Sequence, residues 1–267
     1  MEIWQALILG LTQGITEFLP VSSSGHLEVL RVIMGLDGAN FHYFLEFINL
    51  GTLLALLVYF SKYIIKIFKD IFIKHHFNLA LNIIITCIPA GRAGLLLADF
   101  IENNDFFGNI ITLAIALGVV GIIMVWIDKL PHASKLTSEA HLTKPRALII
   151  GLAQVFALIP GVSRLGSTIL AGRFMGMDNK SSATYSFLVA IPLMCGVCLK
   201  MFLSSDNRAY LFENLDILLL SNLVAFAVGM LAIFGALKFL KRDGSLQAFG
   251  WYRIIFALCI LIVVLII

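Results

Sequence analysis

Apolar residues fall along this chain in long blocks. Phe106 to Ile127 and Ile217 to Leu237 carry no charge, and each matches the stretch of about twenty apolar residues that a helix needs to cross a bilayer. Four more blocks have blemishes: 41–60 contains Glu46, 79–98 contains Pro89 and Arg92, 183–203 contains Pro192, and 249–267 contains Arg253. Six spans are expected, and with them an all-α polytopic membrane protein. Two stretches, 3–36 and 147–178, are apolar but broken by Gly, Pro, Ser and charge. Neither reads as a simple span.

Composition agrees, with 60% of residues hydrophobic and 13% charged against about 25% charge in soluble domains. The net charge of +3 sits in short loops, where it reports orientation. Lys62, Lys66, Lys69 and Lys74 mark one loop, Lys129, Lys135, Lys144 and Arg146 a second, and Lys238, Lys241 and Arg242 a third. These are expected inside. The linkers 99–105, with Asp99, Glu102 and Asp105, and 204–213, with Arg208, are expected outside, as are both termini. No basic domain for nucleic acid exists. Met1-Glu2 lacks the positive start of a signal peptide, and Gln13 and Glu17 interrupt the apolar run, so the first segment is expected to be retained. Cys87, Cys195, Cys198 and Cys259 all lie in apolar segments and are read as packing residues; the CxxC of Cys195 and Cys198 is no exception.

The charge map holds only if each broken stretch enters and leaves on one face as a re-entrant helical hairpin, which needs protein or a wet cavity around it. An offset of 141 aligns Gly10 with Gly151, Leu11 with Leu152, Gln13 with Gln154, Val21 with Val162, Ser22 with Ser163, Gly25 with Gly166, Met34 with Met175, Gly35 with Gly176 and Asp37 with Asp178. Pro20 and Pro160 are one place off register. Three spans, an odd number, separate the copies, which implies an inverted-topology repeat with its site where the broken elements meet. Each half is one hairpin plus three spans: half 1 is 1–128, half 2 is 145–267, and 129–144 is a cytoplasmic linker, all within one membrane domain.

Chemistry concentrates in the hairpins. In Gln13-Gly14-Ile15-Thr16-Glu17-Phe18-Leu19-Pro20-Val21-Ser22-Ser23-Ser24-Gly25-His26, Gln13 and Glu17 share a helix face and Pro20 ends that helix. One of the serines caps the next helix, but capping does not explain Glu17 and His26, since ionisable groups at membrane depth mark functional sites. The second hairpin carries Pro160-Gly161-Val162-Ser163-Arg164-Leu165-Gly166-Ser167-Thr168. Its small residues and Arg164 suit an anion; Arg164 also suits a structural pair with Glu17. Hydroxyl, imidazole, carboxylate and guanidinium form the set for phosphoryl transfer, with a metal or arginine absorbing charge. His42 and Glu46 are read as support or rim of the pocket. Arg92 and Arg253 are expected to pair with acids or reach the headgroups, and His75, His76, His132 and His141 to be solvated.

These segments, with Asn49-Leu50-Gly51-Thr52, Ser186-Phe187-Leu188 and Tyr252-Arg253, resemble the undecaprenyl-pyrophosphate phosphatase family of the bacitracin-resistance type over nearly the whole chain. The resemblance implies hydrolysis of undecaprenyl pyrophosphate to the monophosphate and inorganic phosphate at the outer face of a bacterial cytoplasmic membrane, recycling the lipid carrier of peptidoglycan synthesis. It assigns the family's acidic pair to Gln13 and Glu17, its serine to Ser23, its histidine to His26 and its phosphate-binding arginine to Arg164. Gln13 and Leu165 depart from the commonest residues at their positions. With Mg²⁺ or Ca²⁺ as the expected cofactor, ligation leans on Glu17, assisted by Gln13. Ser23 is expected to attack phosphorus, with His26 or Glu17 as base, and Ser22, Ser24, Ser163, Gly166, Ser167 and Thr168 join Arg164 around the phosphates. His26 as nucleophile is the rival assignment. The alternative function is a polyprenyl-phosphate transporter or flippase, whose architecture would look the same. A second copy of the chain is a candidate partner.

Overall fold

The computed structural model describes residues 1–36, 38–97, 100–101, 104–129, 138–242 and 244–266. All regular structure among them is helical. The longer helices are α1 (Ile3–Thr16), α2 (Ser23–Ile33), α3 (Gly38–Phe47), α4 (Asn49–Tyr59), α5 (Ser61–Phe72), α6 (Asn78–Leu96), α7 (Ile110–Lys129), α8 (Lys144–Val155), α9 (Arg164–Phe174), α10 (Asn179–Leu203), α11 (Ser205–Glu213), α12 (Leu215–Phe239) and α13 (Ser245–Ile266). Among the described residues six helical stretches are long and apolar enough to span a bilayer: Asn40–Tyr59, Asn78–Leu96, Ile110–Lys129, Asn179–Leu203, Leu215–Phe239 and Ser245–Ile266. They coincide with the six apolar blocks, and the chain is a multi-pass membrane protein. Asp37, Asp99, Glu102, His132 and Lys135, which the sequence reading used, lie outside the described residues.

Each broken stretch is a helix, a turn and a second helix: α1 and α2 in one, α8, a 3-10 turn at Phe156–Leu158 and α9 in the other. The turns depend on positive φ at Ser22 (72°) and Ser163 (71°), a region costly for residues other than glycine. The Ser163 hydroxyl offsets part of that cost by accepting from the Gly166 amide at 3.2 Å, capping α9. The linker 204–213, expected only as a connection, is helix α11, capped by Ser204. Its Tyr210 is buried among Phe41, Phe44 and Phe47.

Close packing sets the scaffold around the turns. Helix α7 lies along α13, and Gly121 meets Gly250 there. A Cβ at Gly121 would stand 2.8 Å from the Gly250 carbonyl oxygen, and one at Gly250 2.6 Å from that of Gly121. Only glycine admits this approach, the means by which helices pack where the solvent is itself apolar. The main core draws Phe18, Leu56 and Phe60 together with Val162, Leu165 and Phe187, so each turn is packed against residues remote in sequence. All four cysteines are free thiols, and Cys198 lies in that core.

Arg253 corrects its expected role, for among the described residues it pairs with no acid, and it does not reach the surface. It is 0% exposed and donates to the carbonyls of Pro20 (3.0 Å), Val162 (3.1 Å), Leu117 (3.3 Å) and Gly161. Pro20 lies in the first turn, Gly161 and Val162 in the second. Carbonyls freed where a helix breaks inside a membrane must find donors within the protein, and one guanidinium fork supplies them for both turns. Arg253→Leu is expected to cost about 3–5 kcal/mol, the range for breaking a buried charged network. A lowered midpoint of thermal unfolding in detergent, only partly restored by Arg253→Lys, checks this.

Candidate active site

Glu17 follows the last turn of α1 and Ser23 opens α2, so the intervening turn folds the hydroxyl back onto the carboxylate. Ser23 Oγ donates to Glu17 Oε2 at 2.6 Å. Gln13, one helical turn before Glu17, donates from Nε2 to the same oxygen at 3.3 Å and to Asn49 Oδ1 at 3.0 Å. From the other half of the chain Arg164, first residue of α9, donates from Nη2 to Glu17 Oε1 at 2.5 Å. The carboxylate thus holds a hydroxyl with one oxygen and a guanidinium with the other. The two side chains are only 12% and 26% exposed, so their attraction is less screened than that of a surface pair.

A cavity of about 540 Å³ opens beside this contact, walled at its polar end by Glu17, Ser22, Ser23, Ser24, Ser163 and Arg164. Carboxylate, hydroxyls and guanidinium face one volume. Glu46 also lines the cavity; its carboxylate accepts from Asn207 Nδ2 at 2.7 Å and stands 3.5 Å from His42 Nε2. His42 does not line it.

Other predicted site residues stand elsewhere. His26 Nδ1 donates to the Ser22 carbonyl at 2.7 Å, which leaves Nε2 to accept from the Tyr252 hydroxyl at 2.6 Å. Its ring stacks on Phe256 with centroids 4.3 Å apart. Both nitrogens are engaged away from Ser23, because α13 offers aromatic faces on that side of α2. Ser167 and Thr168 each turn their hydroxyl back to the Arg164 carbonyl at 2.9 Å, the local bond such residues form within helices. Gly166 packs against Met124 and Arg253. None of these three lines the cavity.

Two polar wall residues, Gln154 and Lys200, were not singled out as site residues from the sequence. Gln154 lines the cavity, is 2% exposed, and neither its Nε2 nor its Oε1 has a hydrogen-bond partner among the described residues. Its alignment with Gln13 in the repeat was the available signal. As for a metal, no three His, Cys, Asp or Glu residues gather among the described residues. Gln13 Oε1, however, is buried with no partner among the described residues, beside the Glu17 carboxylate. Two oxygen donors of that kind fit a hard divalent cation that takes its remaining ligands from substrate phosphates and water.

The model of the bacitracin resistance protein BacA family matches residues 6–259. The chain is 38% identical to the undecaprenyl-diphosphatase of Ectopseudomonas mendocina (strain ymp), with 98% of this chain and 95% of the relative covered. It is 36% identical to the undecaprenyl-diphosphatase of Pseudomonas aeruginosa PAO1, over 98% and 94%. For that of Acinetobacter baumannii ATCC 17978 the figures are 36%, 98% and 95%.

Proposed function

Because the chain belongs to the bacitracin resistance protein BacA family, we infer that it hydrolyses undecaprenyl diphosphate to undecaprenyl phosphate and inorganic phosphate. The observation that carries the chemistry is the Glu17 carboxylate, held between Ser23 Oγ at 2.6 Å and Arg164 Nη2 at 2.5 Å in one cavity wall. In our reading Ser23 Oγ attacks the terminal phosphorus while its proton passes to Glu17 Oε2. The bond from that phosphorus to the bridging oxygen breaks, and prenyl monophosphate departs with the electron pair. Arg164 stabilises the charge developing on the phosphoryl oxygens. Glu17 passes that proton to the departing monophosphate and then takes one from a water that attacks the phosphorus on Ser23; the phosphorus–Oγ bond breaks, Oγ recovers the proton, and inorganic phosphate leaves.

Of the two candidates for the base, Glu17 is favoured, since both nitrogens of His26 are bonded elsewhere. His26 instead fixes the start of α2 through the Ser22 carbonyl. A divalent cation, held by Glu17 and Gln13 Oε1, would supply further neutralisation of the phosphates when bound. The test is phosphate release from undecaprenyl diphosphate by the detergent-solubilised chain. One phosphate per lipid is expected; binding of the lipid without release would reject the enzyme in favour of a carrier.

We also propose that the chain is an inverted repeat of two re-entrant hairpins in the cytoplasmic membrane. The pairings of α1 with α12 and of α8 with α6 support it, because each hairpin's first helix leans on the second span of the opposite half. At equivalent positions, a Cβ on Gly10 would stand 2.5 Å from the Ser221 carbonyl oxygen and one on Gly151 2.6 Å from that of Thr86. The matched φ values of Ser22 and Ser163 support it too. The charge map puts the first hairpin and both termini outside. Single cysteines at Ser24 and Ser205, both exposed, are expected to react with an impermeant thiol reagent on intact cells; reaction only after lysis overturns the orientation.

A further inference from the structure

The catalytic cavity does not end at its polar groups. It continues between the C-terminal halves of α6 and α10, whose N-terminal halves are joined: Thr86 Oγ1 lies 2.7 Å from the Tyr185 hydroxyl, that hydroxyl donates to the Asn82 carbonyl at 2.8 Å, and Cys87 Sγ reaches the Val189 carbonyl at 3.6 Å. Beyond this seam the helices part. Gly91 and Gly94 on α6 and Gly196 on α10 line the opening. A Cβ at Gly91 would first meet Leu193 at 3.9 Å, one at Gly94 would first meet Leu158 at 3.8 Å, and one at Gly196 would meet nothing within 4 Å. Unlike Gly10 and Gly151, these glycines do not admit a neighbouring backbone. They leave space.

We propose that this wedge between α6 and α10 seats the isoprenoid chain of the substrate, so that Gly91, Gly94 and Gly196 set the enzyme's capacity for long prenyl diphosphates. The proposal rests on the phosphatase reading and adds where the lipid lies. One volume joins the hydroxyl and guanidinium of the site to apolar side chains on both helices, Leu95, Leu193 and Val197, as an amphiphile with an anionic head requires, with Glu46 and Lys200 also on its wall. Leu95 and Val197, at the open edge, are 73% and 47% exposed; both sit on spans, so the edge opens toward acyl chains. A methyl-branched chain is broader than a straight acyl chain, and glycine backbone on both sides provides that breadth. The wall also holds Gln154, both of whose amide atoms lack a partner among the described residues, a costly state unless a polar ligand group engages it, which places the head of the lipid at the deep end.

The experiment compares undecaprenyl diphosphate with geranyl diphosphate as substrates of the purified full chain and of its Gly196→Leu and Gly91→Leu variants. Gly235→Leu is the control, a glycine on α12 whose Cβ would also meet nothing within 4 Å but which lies away from the cavity. In the wedge variants KM for the long substrate is expected to rise about 10-fold, the scale of a filled apolar subsite, while KM for geranyl diphosphate rises no more than about 2-fold and the unfolding midpoint is retained. Gly235→Leu should leave both substrates unaffected. Equal loss on both substrates, or no change on the long one, overturns the wedge while leaving the phosphatase intact. Should one variant fail to fold, the other carries the same test. A wild-type chain that releases phosphate from neither substrate overturns both proposals.

Discussion

Ser23→Ala is expected to lower phosphate release from undecaprenyl diphosphate at least about 10³-fold, the order lost when a covalent nucleophile is removed. The effect should fall on kcat more than on KM, because Arg164 and the cavity still hold the diphosphate. The fold should survive. Among the described residues Ser23 Oγ makes one hydrogen bond, to Glu17, and the packing of the turn rests on Phe18, Val162 and the Arg253 fork. Ser22→Ala is the matched control: its hydroxyl lies 3.2 Å from Ser24 Oγ and does not bond Glu17, and a much smaller loss is expected. Steady-state kinetics in detergent on the pair separates a nucleophile from a generally polar turn.

The second large effect concerns the pair that joins the two halves. Arg164→Ala is expected to lower kcat/KM by about 10²–10³-fold, as for loss of a preorganised donor at developing charge, and Glu17→Ala by a comparable factor as loss of a general base. Each single change also leaves a charge without its partner in a site less than a third exposed, costing about 2 kcal/mol of stability. The double variant Glu17→Gln/Arg164→Gln removes both charges. It should recover most of the unfolding midpoint and none of the activity. Were the pair merely structural, activity would recover with stability, so the double variant distinguishes the two roles. Arg164→Lys should rescue little, because a point charge cannot span carboxylate and phosphate as the planar fork does.

The sequence carried the spans clearly, because blocks of about twenty apolar residues have no other stable state in a bilayer. It also carried the two breaks and the meeting of Glu17, Ser23 and Arg164, since intramembrane charge and hydroxyls next to a proline leave little choice of surroundings. What it did not carry was orientation around each helix. Ser23 and His26 are three apart on α2 and read as neighbours, yet His26 turns to Tyr252 and Phe256, more than 220 residues away. Spacing cannot anticipate an aromatic partner so remote. Arg253 eluded the reading for the same reason: its partners are backbone carbonyls, which every residue possesses and no motif marks. Ser167 and Thr168 had the composition of an anion cradle but, sitting inside α9 instead of before it, spend their hydroxyls on the Arg164 carbonyl. Gln154 was visible only as one identity of the repeat.

Under the proposed mechanism Ser23, activated by Glu17, receives the phosphoryl group, and trapping that intermediate decides whether it does. The chain is mixed with undecaprenyl diphosphate labelled in its terminal phosphate and denatured within the first turnover, one portion in acid and one in alkali. Label stable to acid, lost in alkali and mapped to the peptide containing Ser23 is the predicted result. Label lost in acid, stable in alkali and mapped to His26 would contradict it.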